Sequence, residues 1–237
     1  MTTIRLQKYI AHAGVCSRRQ AEAYIRQGRV KVNGEVVTRP GTRVDEEEDR
    51  VAVDGKVLCD FEPSVYIVLN KPEGYVTSCR HRGEKVVLDL LDVKERVYPV
   101  GRLDKDSTGL LLLTNDGGLH LKLTHPSFEH EKEYDVTVLR SISDEEIATL
   151  EEGVALEGAV TLPTRIRRLG SSRFAIVLRE GKKRQIRRMV EKVGNSVLRL
   201  HRIRMGTLDL GNLQEGRWRY LTEEERTALL RLVDSDK

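Results

Sequence analysis

Leu110-Leu111-Leu112-Leu113-Thr114 limits what this chain can become more than any other stretch. Four adjacent leucines leave no polar face, and Asn115-Asp116-Gly117-Gly118 follows with turn-forming residues. An apolar run this short, stopped by turn signals, reads as a strand buried within a sheet. Further strand patterns surround it. Tyr66-Ile67-Val68-Leu69 ends at Asn70-Lys71-Pro72, and Tyr98-Pro99-Val100 leads into Gly101-Arg102-Leu103-Asp104. Tyr134, Val136 and Val138 alternate with polar residues, as do Phe174, Ile176 and Leu178. Helices are signalled by the capping boxes Ser143…Glu146 and Thr222…Glu225 and by the apolar stripe Ile186, Met189, Val190, Val193. Several strands with few helices predict an α+β domain over residues 61–237, built on a mixed, mainly antiparallel sheet.

The first sixty residues read as a separate module. Leu6, Tyr9, Ile10 and Ala13 form one face of a short helix that Gly14 ends. Ser17 and Gln20 open a second helix whose apolar face is Ala21, Tyr24 and Ile25, closed by Gly28. Arg29–Val32, Asn33-Gly34 and Glu35–Val37 then spell a hairpin with a type I′ turn. A further short strand is expected at Arg50–Gly55. Arg18, Arg19 and Lys31 are expected to cluster on this unit, and Leu58–Ser64 reads as the linker.

Charge separates along the chain. The formal net charge is +4, yet residues 1–43 carry +7 and residues 179–204 carry +8, leaving −11 for the remainder. Two dense basic segments on an acidic body suit a polyanion, because each neutralised phosphate releases counterions. No apolar run approaches the ~18 residues of a membrane span, and no secretory signal opens the chain. Cys16, Cys59 and Cys79 form no C-x-x-C pair, which points to a reducing, cytoplasmic setting. His120, His125, His130 and His201 show no metal-ligand spacing and read as surface residues or as facing a nucleic-acid partner.

The segment Gly101-Arg102-Leu103-Asp104-Lys105-Asp106-Ser107-Thr108-Gly109 places carboxylates in a glycine-flanked loop between two apolar strands. Such a loop can hold an ionised Asp for chemistry, or it can be an ordinary surface turn. Asp104-x-Asp106-x-Thr108-Gly109 also fits the loop of haloacid-dehalogenase-type phosphatases. That family wants an apolar strand directly before the first Asp, and Gly101-Arg102 interrupts it here.

Leu6–Ile10, Ala13–Arg19 and Ile25–Gly34 resemble the S4 RNA-binding domain over residues 3–50. Gly101-Arg102-Leu103-Asp104-x-Asp106-x-Thr108-Gly109-Leu110-Leu111 with Thr114-Asn115-Asp116-Gly117 resembles the catalytic motif of one group of ribosomal RNA pseudouridine synthases. That group comprises the small-subunit enzymes and the B, E and F enzymes acting on large-subunit RNA. Leu69-Asn70-Lys71-Pro72-x-Gly74, Lys132-x-Tyr134-x-Val136 and Glu180–Met189 resemble the family's other motifs, in the same order. Ser107 stands where many relatives have Thr, and Arg184 where some have His.

The resemblance implies isomerisation of a uridine in ribosomal RNA. The N1–C1′ bond breaks, the uracil turns and C5 joins C1′, so no atom is gained or lost and no cofactor or metal is implied. It further implies Asp104 as the catalytic carboxylate, Tyr134 packed on the target base and Arg187 paired with Asp104, although Arg184 is the alternative partner. Arg18, Arg19, Lys31, Lys71, Arg102, Lys132, Lys183, Arg184 and Arg188 are implied as RNA-binding, with Arg102 helping to open the RNA. The expected partner of this chain, itself expected to be a monomer, is large-subunit (23S) rRNA or an assembling ribosomal particle, with 16S rRNA the alternative. A non-catalytic RNA-binding or ribosome-assembly protein would need only the first module and the basic helix.

Overall fold

The computed structural model describes residues 3–58, 63–125 and 128–235. Cys59–Glu62 of the expected linker lie outside the described residues. Contacts divide the chain into two compact units. One runs to Val65 and takes in Val93–Arg96 and Asn115–Gly117; the other holds Tyr66–Asp92, Val97–Thr114 and the residues from Gly118 onward. Among the described residues no helix is long and apolar enough to cross a membrane.

The first unit contains β1 (Thr3–Arg5), α1 (Leu6–His12), α2 (Arg18–Arg26), β2 (Val30–Val32), β3 (Glu35–Val37), β4 (Arg43–Asp45), β5 (Val51–Val53) and β6 (Lys56–Val57). β1 pairs with β4, and β3-β2-β5-β6 form a small antiparallel sheet. Leu6, Tyr9, Ile10, Ala21 and Ile25 close the helix pair over Val30, Val51 and Val53. Ser17 Oγ caps α2 by accepting from Gln20 N at 3.2 Å. Asn33 (φ +52°) and Gly34 (φ +89°) both occupy the left-handed region, as a type I′ turn requires.

The second unit contains β7 (Tyr66–Lys71), β8 (Tyr98–Pro99), β9 (Thr108–Thr114), α3 (Gly117–Thr124), β10 (Lys132–Val138), α4 (Asp144–Glu152), β11 (Ala155–Leu156), β12 (Ala159–Val160), β13 (Arg165–Gly170), β14 (Arg173–Leu178), α5 (Gln185–Lys192), β15 (Val197–Met205), β16 (Leu208–Asp209), β17 (Trp218–Tyr220) and α6 (Glu223–Ser235). Its main sheet runs β13-β14-β10-β15-β9-β7-β17, with β16 on β15 and β8 on β9. The β15–β9 pair is parallel and the other described pairs of this sheet are antiparallel. All seven residues of β9 are buried, as the leucine run demands.

Two apolar clusters hold helices to this sheet. Val136, Phe174 and Ile176 pack with Leu150 of α4 and Ile186 and Met189 of α5. Val68, Leu110 and Leu112 pack with Leu119 of α3 and Leu229 of α6. Both predicted capping boxes form: Ser143 with Glu146, and Thr222 with Glu225, whose carboxylate also takes a two-pronged contact from Arg219. β15 is absent from the predicted strands, because arginines at 199, 202 and 204 mask its alternation.

Candidate active site

The loop between β8 and β9 carries Asp104, and its backbone is tied from several directions. Ser107 N donates to Asp104 O at 3.1 Å, closing a tight turn over residues 104–107. Leu103 is buried, and Thr77 Oγ1 both donates to its carbonyl (2.7 Å) and accepts from its N–H (3.2 Å). Gly74 N donates to Lys105 O at 2.9 Å. Beneath the turn, Lys71 Nζ donates to Ser107 O (2.7 Å), Pro72 O (3.0 Å) and Lys105 O (3.4 Å). From α5, Arg187 Nη2 donates to Asp106 O at 2.8 Å and Nη1 to Val197 O at 3.1 Å.

These ties fix the backbone and leave the carboxylates facing outward. Asp104 and Asp106 are both half-exposed. Arg184, in the left-handed conformation (φ +50°) just before α5, lies 3.1 Å from Asp106 and 3.9 Å from Asp104. Arg187 lies 3.3 Å from the Asp106 carboxylate. The expected Arg187–Asp104 pair is therefore corrected: the guanidinium beside Asp104 belongs to Arg184, while Arg187, buried and pointing at the loop's backbone, pairs with Asp106.

A row of residues crosses the sheet under this loop. Lys71 lies opposite Gly109, Gly109 opposite Arg202, and Arg202 opposite Tyr134. A Cβ on Gly109 would sit 2.3 Å from Arg202 O, so only glycine lets β9 and β15 approach this closely. Arg202 is buried; its Nε donates to Leu110 O at 2.7 Å, and its Nη2 has no partner among the described residues. Tyr134 is half-buried and packs against the α4–α5 cluster. Burial, with Arg202 adding repulsion, pushes Lys132 down to about 8, and its Nζ donates to His130 O at 3.0 Å.

Lys71 departs from its expected role. It is fully buried with its ammonium spent on three carbonyls, so it is a support beneath the loop and not an RNA contact. Burial pushes it down to about 8 despite the opposing pull of Asp106 and Asp104. Arg102, Arg184 and Lys183 are exposed around α5 and the loop. Arg188 is ion-paired with Glu157 at 3.1 Å. Arg18, Arg19 and Lys31 are exposed on the first unit, and none of them is ion-paired to an acid among the described residues. Two arginines in the first turn of α2 oppose its dipole, so they do not serve helix stability. The 179–204 segment is not one surface patch: Arg187 and Arg202 are buried, and Arg204 is paired with Glu131 and Glu133. His130 is buried and so is not a surface histidine, while half-buried His201 has its Nδ1 2.7 Å from Thr108 Oγ1. Thr77 and Arg202 are site residues that no sequence motif marks, and Asp106, a motif position with no role assigned from sequence, takes Arg184 and Arg187 as ion-pair partners.

Glu73, Gly74, Asp104, Lys105, Asp106 and Arg184 line an open pocket of about 360 Å³. A pocket of similar size, about 350 Å³, lined by Leu156, Glu157, Arg188, Glu191 and Lys192, has no such paired carboxylates tied into a loop. Chemistry, not volume, separates the two. The residues directly before Asp104 form a loop and not a strand, contrary to the phosphatase arrangement.

Comparison with known proteins agrees with this geometry. Residues 65–192 match the RNA pseudouridylate synthase family model, and residues 4–51 match the S4 domain. The ribosomal large subunit pseudouridine synthase B of Bacillus subtilis is 42% identical, covering 98% of each chain. The dual-specificity RNA pseudouridine synthase RluF of Shigella flexneri is 39% identical over 99% of this chain and 81% of its own. A crystal structure of a pseudouridylate synthase superposes with a TM-score of 0.70 at 34% identity, covering 95% of this chain and 99% of that one. The loop, its neighbouring motifs and these full-length relatives together establish that the chain belongs to the RNA pseudouridylate synthase family.

Proposed function

We propose that this RNA pseudouridine synthase isomerises a uridine of large-subunit (23S) rRNA, with Asp104 as the catalytic carboxylate. Residues 1–60 serve RNA binding and residues 61–237 carry the chemistry. The observation that carries the reading is the Asp104 turn: its backbone is held by Lys71, Thr77 and Arg187, while its carboxylate faces the pocket beside Arg184. A fixed backbone under an outward carboxylate is what positional catalysis needs.

The carboxylate acts on the target nucleotide as nucleophile or as an aid to leaving-group departure and proton transfer. The target uridine must leave its stack, costing a few kcal/mol, and the Tyr134 ring can return about 1–3 kcal/mol by stacking. Arg18, Arg19 and Lys31 bind RNA through the first unit, and Arg102, Lys132, Lys183, Arg184 and Arg188 through the second. The large-subunit assignment is supported by the name of the Bacillus subtilis relative. The enzyme works as a cytoplasmic monomer on free rRNA or an assembling ribosomal particle. Tritium release from C5-tritiated 23S and 16S transcripts tests the target: 23S is expected to turn over, and release from 16S alone would reject it.

A further inference from the structure

The face of the main sheet turned away from α5 carries charge that the site above does not use. Side chains alternate along a strand, so Val136, Phe174 and Ile176 point toward α4 and α5 and their neighbours point the other way. On that second face one row sets Arg165, Glu133 and Arg204 in line across β13, β10 and β15. The next row sets Arg167 and Asp135 in line, and in a third Arg173 and Arg199 flank Thr137. Arg179 follows β14 in the same alternation.

These charges are layered. Glu131 pairs with Arg165 at 2.7 Å, Arg204 at 3.1 Å and Arg179 at 3.5 Å. Glu133 pairs with Arg204 at 3.1 Å and Arg167 at 3.7 Å, and Asp135 accepts from Arg173 Nε at 2.9 Å. The side chains of the three carboxylates are 17–26% exposed, whereas those of Arg165, Arg167, Arg173 and Arg179 are 54–73% exposed. The guanidiniums are therefore outermost. Arg199 is exposed and has no ion-pair partner among the described residues. The hydrogen bond from Arg173, with Arg199 adding its charge, holds the Asp135 carboxyl below the usual carboxylate range against the effect of its burial. Six arginines thus stand against three carboxylates.

We propose that this face is a second phosphate-binding surface, at which Arg165, Arg167, Arg173, Arg179 and Arg199 hold the backbone of an RNA helix remote from the target uridine. The proposal rests on the functional reading above. Arg187 of α5 touches the Asp104 turn, so the uridine lies on the α5 side of the sheet, and the anion met here belongs to another part of the same rRNA. Ion pairs serving stability alone would match their charges, because exposed pairs contribute little and surplus guanidiniums repel one another. A polyanion relieves that repulsion. The shielded carboxylates fix the arginines from beneath and leave their outer N–H groups for phosphate oxygens, which a planar guanidinium fits.

The test titrates the full-length wild type and an Arg167→Ala/Arg199→Ala double variant across salt. Two RNAs are compared: the whole 23S transcript and its shortest fragment that still releases tritium. Arg199 is unpaired and Glu133 keeps Arg204 when Arg167 is lost, so the variant is expected to melt with the wild type. On the whole transcript its Kd is expected to rise about tenfold and its log–log salt slope to fall by about 1.4–1.8, the contribution of two phosphate contacts. Arg167→Lys/Arg199→Lys keeps both charges and is expected to retain the slope. On the short fragment, which lacks the remote helix, the alanine variant is expected to bind as the wild type does. An unchanged Kd and slope on the whole transcript, the outcome if an acidic protein were the partner, overturns the proposal. An equal loss on both RNAs also overturns it, because the arginines would then serve the target stem. If the wild type releases tritium from no transcript, the functional reading fails instead, and the titration on whole 23S still tests this face.

Discussion

The ammonium of Lys71 donates to the carbonyl of Ser107 at 2.7 Å from a position with no solvent exposure. A cation buried this way is costly unless its donors are all used, and here three carbonyls around the Asp104 turn take them. Burial lowers Lys71 to about 8, against about 10.4 in an unfolded chain. Between those two pH values the unfolded chain holds a proton that the folded one has released. The contribution of Lys71 to stability is therefore lowest below pH 8 and rises toward pH 10.4.

Activity is expected to run the other way. A neutral amine has two N–H donors for three carbonyls, so the turn loosens and single-turnover rates fall as pH rises through about 8. Lys132 titrates in the same range, so variants assign the limb. Lys132→Met should retain the alkaline decline, and Lys71→Met should lose it at a lower overall rate. A decline that persists in Lys71→Met would contradict the role given to this lysine.

Gly109→Ala should be severely destabilising. The new methyl would fall 2.3 Å from Arg202 O and 2.6 Å from Arg202 N, at a φ of +104° that side chains rarely adopt. Relief requires parting the parallel β9–β15 pair. Overpacking and backbone strain together imply a loss of about 2–5 kcal/mol, read from urea denaturation midpoints.

On the proposed reading, Thr77 is a positioning residue for the Asp104 turn. Thr77→Val keeps the shape and orphans both the N–H and the carbonyl of buried Leu103, a cost of about 1–3 kcal/mol. That cost falls on the backbone next to Asp104, so kcat is expected to drop about tenfold or more with KM little changed. Thr77→Ser restores the hydroxyl and should recover most of the rate; failure of serine to rescue would mean the threonine only fills space.

The two arginines of the site should separate by phenotype. Arg187→Gln removes donors from Asp106 O and Val197 O in a buried setting and should cost about 1–3 kcal/mol of stability. Arg184→Gln alters an exposed group and should leave stability within about 1 kcal/mol while lowering turnover, because Arg184 is the cation beside Asp104. Thermal melts and single-turnover rates on the same samples check both.

Much of this was legible in the chain and some was not, for one physical reason. The leucines of β9, the Asn33-Gly34 turn and the capping residues announce themselves because local geometry admits few alternatives. Lys71, Arg187 and Arg202 mislead, because a cation in a sequence reads as solvent-exposed, whereas here backbone carbonyls of distant segments stand in for water. β15 was hidden by the same effect. The Thr77–Leu103 clamp links positions 26 residues apart and has no pattern to betray it.

The central claim is that Asp104 performs the isomerisation. Its most direct test is tritium release from C5-tritiated 23S rRNA by the wild type and by Asp104→Asn, with RNA binding measured alongside. The account predicts equal binding, release by the wild type and none above background by the variant. Release by Asp104→Asn at the wild-type rate would contradict it.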